Sequence, residues 1–331
     1  MNDKLNDHVD ELQPESMDDH LRGFDDRDDE PQDVAGPIEL DDRSENYEID
    51  EMERELEQQQ EEDFKIGMSR RGLLSGVGAA AGALAVGATS PLWTPAEPAE
   101  AHGSLSRYCY VDGARTYYEG NGAATCFYYR PSFHTRCNYV VDLWDNNTPS
   151  GYGRPWRMWS YGVHTDHRTS TAHNNGRGFD FTRMYVTING SLARRFYARY
   201  DRWSGTSSAA TERRRYWGTA AACHYRLRNV LTYYYNSAHH NHIHMDNLVS
   251  GTGNSTFSTG STTQVQSAQA MCRWIWGKST AIDGVWGPQT RQHTHEVLVR
   301  IGKGGYLTSG QSYWLAFNRA TTRKAYGVQS Y

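Results

Sequence analysis

The fold prediction starts from a histidine-rich stretch in the second half of the chain, Ala238-His239-His240-Asn241-His242-Ile243-His244-Met245-Asp246. If this stretch is a β-strand, its side chains alternate between two faces. His242, His244 and Asp246 then share one face, and the apolar residues between them share the other. Two imidazoles on one face, about 7 Å apart along the strand, can serve a single metal centre, one as a ligand and one beside the bound water.

A second polar cluster lies upstream, in Thr171–Phe181. Here His173 precedes a turn that contains glycine, and Asp180 lies on the strand that follows. Because a turn reverses the chain direction, it can bring these two side chains together. One histidine, one aspartate and a later histidine form the three-ligand set of a catalytic Zn²⁺ site, in which the fourth position is left for water.

Around these clusters the sequence changes irregularly between strand and helix patterns. β-Branched and aromatic residues indicate strands, whereas apolar residues three and four apart indicate helices. Because there is no regular βαβ alternation, we expect an α+β fold. The predicted strands are Arg177–Thr187, Val230–Tyr235 and His242–Leu248, and the predicted helices are Ser191–Trp203 and Glu212–Leu227.

Charge is distributed unevenly along the 331 residues. Residues 1–67 hold 26 acidic and 6 basic side chains, whereas residues 102–331 hold 11 acidic and 26 basic ones. The acidic segment has too little apolar surface to offset the entropy cost of ordering, so we predict that residues 1–67 are disordered. The basic remainder also contains most of the aromatic residues, which predicts attraction to anionic polymers.

An export signal is predicted between these two parts, over residues 68–101. Ser69-Arg70-Arg71 precedes an uncharged stretch rich in glycine and alanine, and Ala99 and Ala101 fit a signal-peptidase site. The adjacent arginines resemble a twin-arginine signal, which implies export of a folded protein through the twin-arginine machinery, to be secreted or associated with the cell wall. The uncharged stretch is short, so no stable membrane anchor is expected. Met68, directly before Ser69, leaves open whether translation starts there or whether residues 1–67 are translated as an unusually long extension.

All five cysteines follow the predicted signal, at positions 109, 126, 137, 223 and 272. In an oxidising compartment this placement predicts one or two disulfides, with the pairing left open. The odd number predicts at least one unpaired thiol within a monomer. A cysteine-based zinc site is not expected, because no Cys-x-x-Cys pair occurs.

A stretch of serine, threonine and glycine, residues 249–264, predicts a flexible linker between a first domain, 102–248, and a second domain, 265–331. In the second domain Asp283-Gly284 predicts a turn, and Pro288 predicts the start of a helix. The string over 282–290 resembles the peptidoglycan-binding type 1 family, a separate small three-helix module. That resemblance implies wall contact by Asp283, Gly284, Trp286 and Gly287; a helical cap on the first domain is the alternative.

The two polar clusters of the first domain, taken together, resemble a known superfamily of zinc peptidases. Thr171-x-His173-x-x-Gly176-x-Gly178-x-Asp180, followed by His-x-His, is similar to the pattern of D-Ala-D-Ala metallopeptidases, lysostaphin-type endopeptidases and Hedgehog-like proteins. The downstream run looks like the extensin-like C-terminal family. Its His-x-x-His-x-His spacing, at 239, 242 and 244, also resembles the penicillin-insensitive murein endopeptidases. The resemblance covers about residues 150–248.

That resemblance implies a Hedgehog-like or D,D-peptidase-like fold, a small antiparallel sheet with helices, and a Zn²⁺ ion bound by His173, Asp180 and His244. It gives the catalytic role to His242, with His239 close by. The substrate would be a peptidoglycan peptide, cut as by a D,D-carboxypeptidase or a murein endopeptidase. A substrate carboxylate is expected to bind one of three arginines, Arg154, Arg157 or Arg168.

One position departs from the D,D-carboxypeptidase pattern, in which a glutamate three residues before the last ligand is the general base. Asn241 occupies this position, and an amide cannot take a proton, so the role of base falls to His242 or His239. The departure leaves open a non-catalytic, zinc-containing wall-binding protein. A secreted nuclease, suggested by the basic charge and by His240-Asn241-His242, is disfavoured because nuclease histidines are spread over a hairpin and a helix. No nucleic-acid partner is expected.

Overall fold

The computed structural model describes residues 104–165 and 171–331, which form a mixed α/β structure. The strands are β1 (Ser106–Tyr108), β2 (Tyr110–Val111), β3 (Ala114–Tyr118), β4 (Phe127–Tyr129), β5 (Arg154–Ser160), β6 (Gly178–Ile188), β7 (Ser191–Tyr197), β8 (Asn229–Leu231) and β9 (Ile243–Asp246). The main sheet has the order β2-β3-β5-β6-β9-β8, and β7 also pairs with β6; β1 and β4 form a separate pair. The predicted acidic segment, the export signal and Arg168 lie outside the described residues.

Strand β6 organises the sheet because it is long enough to pair with three others. Its first residues pair with β9, its later residues pair with β7, and β5 pairs along the opposite edge. Phe179, Phe181, Met184 and Val186 of β6 are buried in the core. Phe181 and Met184 both reach the core, although three positions separate them, because the register with β5 shifts at this point and leaves Thr182 as the additional residue.

Seven α-helices accompany the sheet in the described ranges. They are α1 (Pro131–Asp145), α2 (Thr171–Asn174), α3 (Tyr200–Trp203), α4 (Ala209–Arg226), α5 (Thr262–Trp274), α6 (Pro288–Arg300) and α7 (Gln311–Ala325). Helix α4 is buried on all sides over its second half and packs against α1, α5 and α7. The approach to α7 is close, since a Cβ on Gly218 would lie 2.6 Å from the Cβ of Ala325.

The segment predicted as one helix, Ser191–Trp203, is instead a strand followed by a single helical turn. It forms β7, which pairs with β6 as a hairpin, and then α3. The hairpin turn is Asn189-Gly190, with φ values of 50° and 81°. Asn-Gly is a strong signal for such turns, and pairing with β6 outweighs the helix-like spacing of the apolar residues.

The sheet is mixed rather than wholly antiparallel, which corrects the expectation from the resemblance. Strands β3 and β5 run parallel, with Tyr117 opposite Trp159. Parallel neighbours need a long crossover connection, and helix α1 lies within the connection between these two strands. The coarser expectation, a combination of helices with a largely antiparallel sheet, is what the structure has.

The segment predicted as a flexible linker, residues 249–264, is packed. Ser255 and Phe257 are buried, and helix α5 already begins at Thr262. The Ser255 hydroxyl donates to the carbonyl oxygen of His224 and accepts a hydrogen bond from Trp314 Nε1. A helix begins at Pro288 as predicted. Helices α5 and α7 pack on α4, and α6 packs on α5 and α7, so the polar side chains of this segment find partners inside the fold.

One disulfide, Cys109–Cys126, joins the start of the sheet to the segment before β4. Cys137, Cys223 and Cys272 are buried free thiols. The prediction of one or two disulfides with at least one unpaired thiol is therefore confirmed. Within residues 104–165 and 171–331, no helix combines the length and the apolar character needed to cross a membrane.

Candidate metal centre

Two strands and a short helix bring three possible ligand side chains to one point. Asp180 on β6 lies directly opposite His244 on β9 in the strand register, and helix α2 carries His173. One nitrogen or oxygen of each side chain lies within 4.8 Å of the others, and all three residues are buried. The three residues predicted as metal ligands are thus together, and this group could hold a metal ion.

Hydrogen bonding and a glycine fix the orientation of His173. Its Nδ1 donates to the carbonyl oxygen of Val163 at 2.9 Å, which leaves the lone pair on Nε2. That Nε2 lies 3.4 Å from Oδ1 of Asp180. A Cβ at position 178 would come within 3.0 Å of the imidazole, so Gly178 leaves the space that the ring needs.

His244 is held between two carboxylates. Its Nδ1 lies 2.9 Å from Asp180 Oδ1 and 3.3 Å from His173 Nε2. On the other side of the ring, Nε2 lies 3.4 Å from Asp246 Oδ2. A proton on Nε2 is attracted by the Asp246 carboxylate, and the lone pair of Nδ1 is then available to a metal.

The donor set and its spacing suit a tetrahedral divalent ion. Ligand atoms 2.0–2.1 Å from a tetrahedral zinc ion lie about 3.3 Å from one another, and the three atom pairs here are 2.9, 3.3 and 3.4 Å apart. Burial tends to raise the pKa of Asp180, but the neighbouring imidazoles of His173, His242 and His244 outweigh this effect and hold the pKa well below its usual range. The carboxylate therefore stays ionised.

Two further histidines border the centre, and an asparagine amide orients each of them. His242 Nε2 lies 3.5 Å from Asp180 Oδ1, while its Nδ1 donates to Oδ1 of Asn241 at 2.6 Å. His239 Nδ1 donates to Oδ1 of Asn236 at the same distance. Both rings consequently carry the lone pair on Nε2. The His239 and His242 ring centroids are 5.0 Å apart.

His239 is neutral in this setting. Burial and the neighbouring His242 and His244 lower its pKa well below the usual value. Its Nε2 is buried and has no hydrogen-bond partner among the described residues. The side chains predicted to assist the chemistry therefore lie next to the three candidate ligands. His242 places a basic nitrogen beside Asp180, and His239 places a buried hydrogen-bond acceptor next to His242.

The arginines predicted to bind a substrate carboxylate lie elsewhere on strand β5. Arg154 begins the strand, with its side chain 83% exposed and 3.7 Å from Asp145. Arg157 stacks over the ring of Tyr117, with 5.3 Å between its guanidinium carbon and the ring centroid. Each takes part in contacts away from the histidine cluster.

The four residues predicted to contact the wall divide into two pairs. Gln269 accepts hydrogen bonds from the backbone N–H groups of Asp283 and Gly284 and donates to the Asp283 carboxylate, so this pair builds a turn. Trp286 and Gly287 instead line an open groove of about 500 Å³. The other lining residues are Pro288, Arg291, Gln292 and Tyr306.

Sequence reasoning gave no role to several residues that shape the centre. Strand alternation predicts that Asp246 shares a face with His244, but it does not indicate the contact between the Asp246 carboxylate and the His244 ring. The sequence pattern indicates only that Asn241 lacks the carboxylate of a general base, whereas in the structure its amide orients His242. Tyr161 packs its ring edge-on to His242, with centroids 6.2 Å apart; it lies 81 positions away, and no spacing in the sequence indicates that contact.

Comparison with known proteins adds no assignment. The chain matches no family model, no curated protein and no solved structure.

Proposed function

We propose that this protein is an exported zinc-dependent peptidase that hydrolyses peptidoglycan peptides, as a D,D-carboxypeptidase or a murein endopeptidase does. The observation that carries the proposal is the convergence of His173 Nε2, Asp180 Oδ1 and His244 Nδ1 on one buried point. Two neutral imidazoles and one carboxylate leave the fourth position of a tetrahedral ion for water, as catalytic sites require. The predicted twin-arginine signal supports secretion or association with the wall.

His173, Asp180 and His244 would hold the ion. A zinc ion held there would act as a Lewis acid, which would lower the pKa of a bound water and polarise a carbonyl group. The protein's own contribution begins at His242, whose Nε2 lone pair faces the centre and accepts the proton of the attacking water. Asn241 keeps the other proton of that ring on Nδ1, so Nε2 is the nitrogen that gains and releases the proton.

The same imidazole has a second task after the attack. Once protonated at Nε2, His242 can donate to the developing oxyanion or to the leaving nitrogen. His239 lies beside it, buried, and excludes water from that side of the centre. With this arrangement the reaction does not need a carboxylate at position 241.

The basic charge of residues 102–331 and the groove beside Trp286 both support a wall polymer as the partner of this protein. Residues 102–331 carry 26 basic and 11 acidic side chains, which favours approach to anionic wall material. The groove beside Trp286 places two aromatic rings and Arg291 at the C-terminal helices. Aromatic and arginine side chains of this kind anchor ligands in many binding sites.

Metal analysis combined with digestion of purified sacculi tests the proposal. The wild-type protein should bind about one zinc per chain and release muropeptides. His244→Ala should lose both properties. His240→Ala is the matched control, because His240 belongs to the same run but packs its ring on Tyr200, 5.2 Å away. A His244→Ala variant that digests sacculi like the wild type would contradict the mechanism.

A second candidate, a wall-binding protein that keeps zinc for structure, is favoured by Asn241, which offers no carboxylate for proton transfer. It predicts zinc content and sacculus binding with no muropeptide release at any protein concentration. Release by the wild type but not by His242→Ala decides for the peptidase. Zinc and binding without release decide for the second candidate.

A further inference from the structure

The outer face of the sheet carries a stack of cations and rings that neither candidate function uses. Met158, Met184 and Phe196 are buried in the core. Their strand neighbours therefore point to the opposite face, where the register sets Trp159 beside Arg183, and Arg183 beside Tyr197. We name this group the stacked strip, defined as Tyr117, Arg157, Trp159, Arg183, Arg194 and Tyr197.

The members of the stacked strip pack on one another across four strands. Tyr117 and Trp159 stack with their ring centroids 5.0 Å apart. The guanidinium carbon of Arg183 lies 4.4 Å from the Trp159 ring centroid and 5.8 Å from that of Tyr197. At one end of the strip the guanidinium carbon of Arg157 lies 5.3 Å from the Tyr117 ring centroid. At the other end that of Arg194 lies 4.1 Å from the Tyr197 ring centroid. Such stacking holds each guanidinium plane in a fixed orientation.

Charge in the stacked strip is neutralised in the middle, has one long ion pair at the Arg194 end and is unpaired at the Arg157 end within the described residues. Arg183 donates two hydrogen bonds to the buried carboxylate of Glu119, at 2.8 and 2.5 Å. Arg157 forms no ion pair within the described part of the chain. Arg194 forms one ion pair, 3.4 Å to the buried Glu212, and its side chain is 38% exposed. The two ends therefore present oriented cations to an incoming anion.

The stacked strip lies on the same face of the sheet as the metal centre. Phe181 is in the core, so its neighbour Asp180 points to the outer face. Beyond the register shift Met184 is in the core, so its neighbour Arg183 points to the outer face as well. Three positions along β6 separate the two residues, about 10 Å. Arg199 bridges the gap, since it lies 3.5 Å from Glu119 and donates to the Tyr161 hydroxyl at 2.9 Å, and Tyr161 packs on His242.

We propose that the stacked strip binds a wall polymer that bears carboxylates, and that it leads this polymer to the metal centre. Arg157 and Arg194 would pair with carboxylates of the polymer, and the fixed guanidinium planes favour two-point contacts with them. The identity of the polymer rests on the proposed function. The binding itself does not, because it requires no hydrolysis.

The test measures binding of the purified full-length protein, with zinc removed by chelator, to sacculi free of accessory polymers. A second batch of the same sacculi has its carboxylates converted to amides. The wild type should bind untreated sacculi, and amidation should weaken this binding at least about tenfold, the effect of losing charged hydrogen bonds. In the double variant Arg157→Gln/Arg194→Gln, the affinity should fall by a similar factor, and amidation should then have little further effect.

Two controls keep the result specific. Arg107→Gln/Arg273→Gln removes the same charge from exposed positions outside the stacked strip and should respond to amidation like the wild type. Arg157→Lys/Arg194→Lys keeps the charge without the planar group and should recover only part of the affinity. Thermal unfolding of each variant shows that it is folded.

Several outcomes would overturn the inference. One is a wild type that binds amidated and untreated sacculi equally. Another is equal affinity for untreated sacculi in Arg157→Gln/Arg194→Gln and in its control, Arg107→Gln/Arg273→Gln. A third is displacement of the protein from sacculi by a single-stranded RNA, where this displacement depends on Arg157 and Arg194. If the wild type binds as described but releases no muropeptide when zinc is restored, the peptidase proposal fails and the binding surface stands.

Discussion

Asp246 Oδ2 lies 3.4 Å from His244 Nε2, on the edge of the imidazole opposite to the one that faces Asp180. The His244 ring lies between the two carboxylates, and the Asp246 carboxylate keeps the proton of this ring on Nε2. Asp246 also accepts a hydrogen bond from the backbone N–H of Leu248 at 2.9 Å and one from Asn229. The position of Asp246 is therefore set by the end of the strand rather than by the three candidate metal ligands.

Replacing this carboxylate should weaken metal binding while the fold is preserved. Asp246→Asn keeps an oxygen that can accept from Leu248, but it can turn its N–H₂ group towards His244 Nε2. Both groups are hydrogen-bond donors, so the contact that holds the proton on Nε2 is lost. We expect the zinc dissociation constant to rise by about 10- to 100-fold, as measured by competition with a chromophoric chelator. Asp283→Asn is the matched control, since Asp283 accepts from the backbone of Val285 far from the centre. Equal zinc affinity in both variants would contradict the role of Asp246 in fixing the His244 tautomer.

Removal of zinc should lower the stability of the folded chain. A ligand present at about 100 times its dissociation constant stabilises the native state by about 2.7 kcal/mol, so chelation should lower the melting temperature, and zinc should restore it. His173→Ala, whose metal-binding nitrogen is gone, should melt at the same temperature with and without zinc. A wild-type melting temperature that ignores both chelator and zinc would show that the centre does not bind this ion.

The ligand set could be predicted because it depends on short-range patterns. His244 and Asp246 lie on a strand whose alternation is visible in the sequence, and the turn between His173 and Asp180 is marked by glycine. The antiparallel pairing of β6 with β9 then sets Asp180 opposite His244. The residue pattern left the later histidine open and the resemblance selected His244, whereas the structure shows the contact of the three side chains.

Other features could not be predicted because they depend on long-range packing. The hairpin turn at Asn189-Gly190 has its own sequence signal, but the apolar residues after it have a helix-like spacing, and only their pairing with β6 makes this segment a strand. The serine- and threonine-rich segment looks like a linker until its hydroxyls meet partners such as Trp314, 59 positions away. The stacked strip joins residues of four strands, and no local pattern indicates their contact.

Asn241 should affect turnover more than metal binding. Its amide oxygen accepts from His242 Nδ1 at 2.6 Å, so Asn241→Ala frees the ring to change its tautomer and orientation. We expect turnover on sacculi to fall by about tenfold or more, within the usual contribution of a general base, with zinc content unchanged. Asn146→Ala, which removes a comparable amide from the end of α1, should leave turnover intact. Loss of zinc from Asn241→Ala would instead give Asn241 a structural role.

The Cys109–Cys126 disulfide should stabilise the edge of the sheet. It closes a loop with a sequence separation of 17, and a loop of this length contributes about 3 kcal/mol to the free energy of unfolding. Cys109→Ser/Cys126→Ser should lose about this amount in denaturant titrations. Thiol counting should give three free thiols per unfolded wild-type chain, matching the three buried cysteines. Five thiols in the oxidised wild type, or equal stability of the variant, would contradict the assignment.

Stability at acid pH should depend on a histidine far from the metal centre. His224 on α4 is fully buried, its ring nitrogens have no hydrogen-bond partner within the described residues, and it packs edge-on to Trp314, with centroids 5.6 Å apart. Burial lowers its pKa to about 3, whereas an unfolded histidine titrates near 6.5. Between these values the unfolded chain binds the additional proton, so the free energy of unfolding falls as the pH falls.

The slope for one such group is about 1.4 kcal/mol per pH unit, or about 2 kcal/mol between pH 6.5 and pH 5. His224→Leu, of similar volume, cannot bind this proton. Because it also removes a buried N–H without a partner, it should be about 1 kcal/mol more stable than the wild type at pH 7, and its advantage should grow as the solution is acidified. Denaturant titrations from pH 5 to pH 7 measure both quantities. Parallel curves for the two proteins would mean that His224 is protonated, or reached by water, inside the fold.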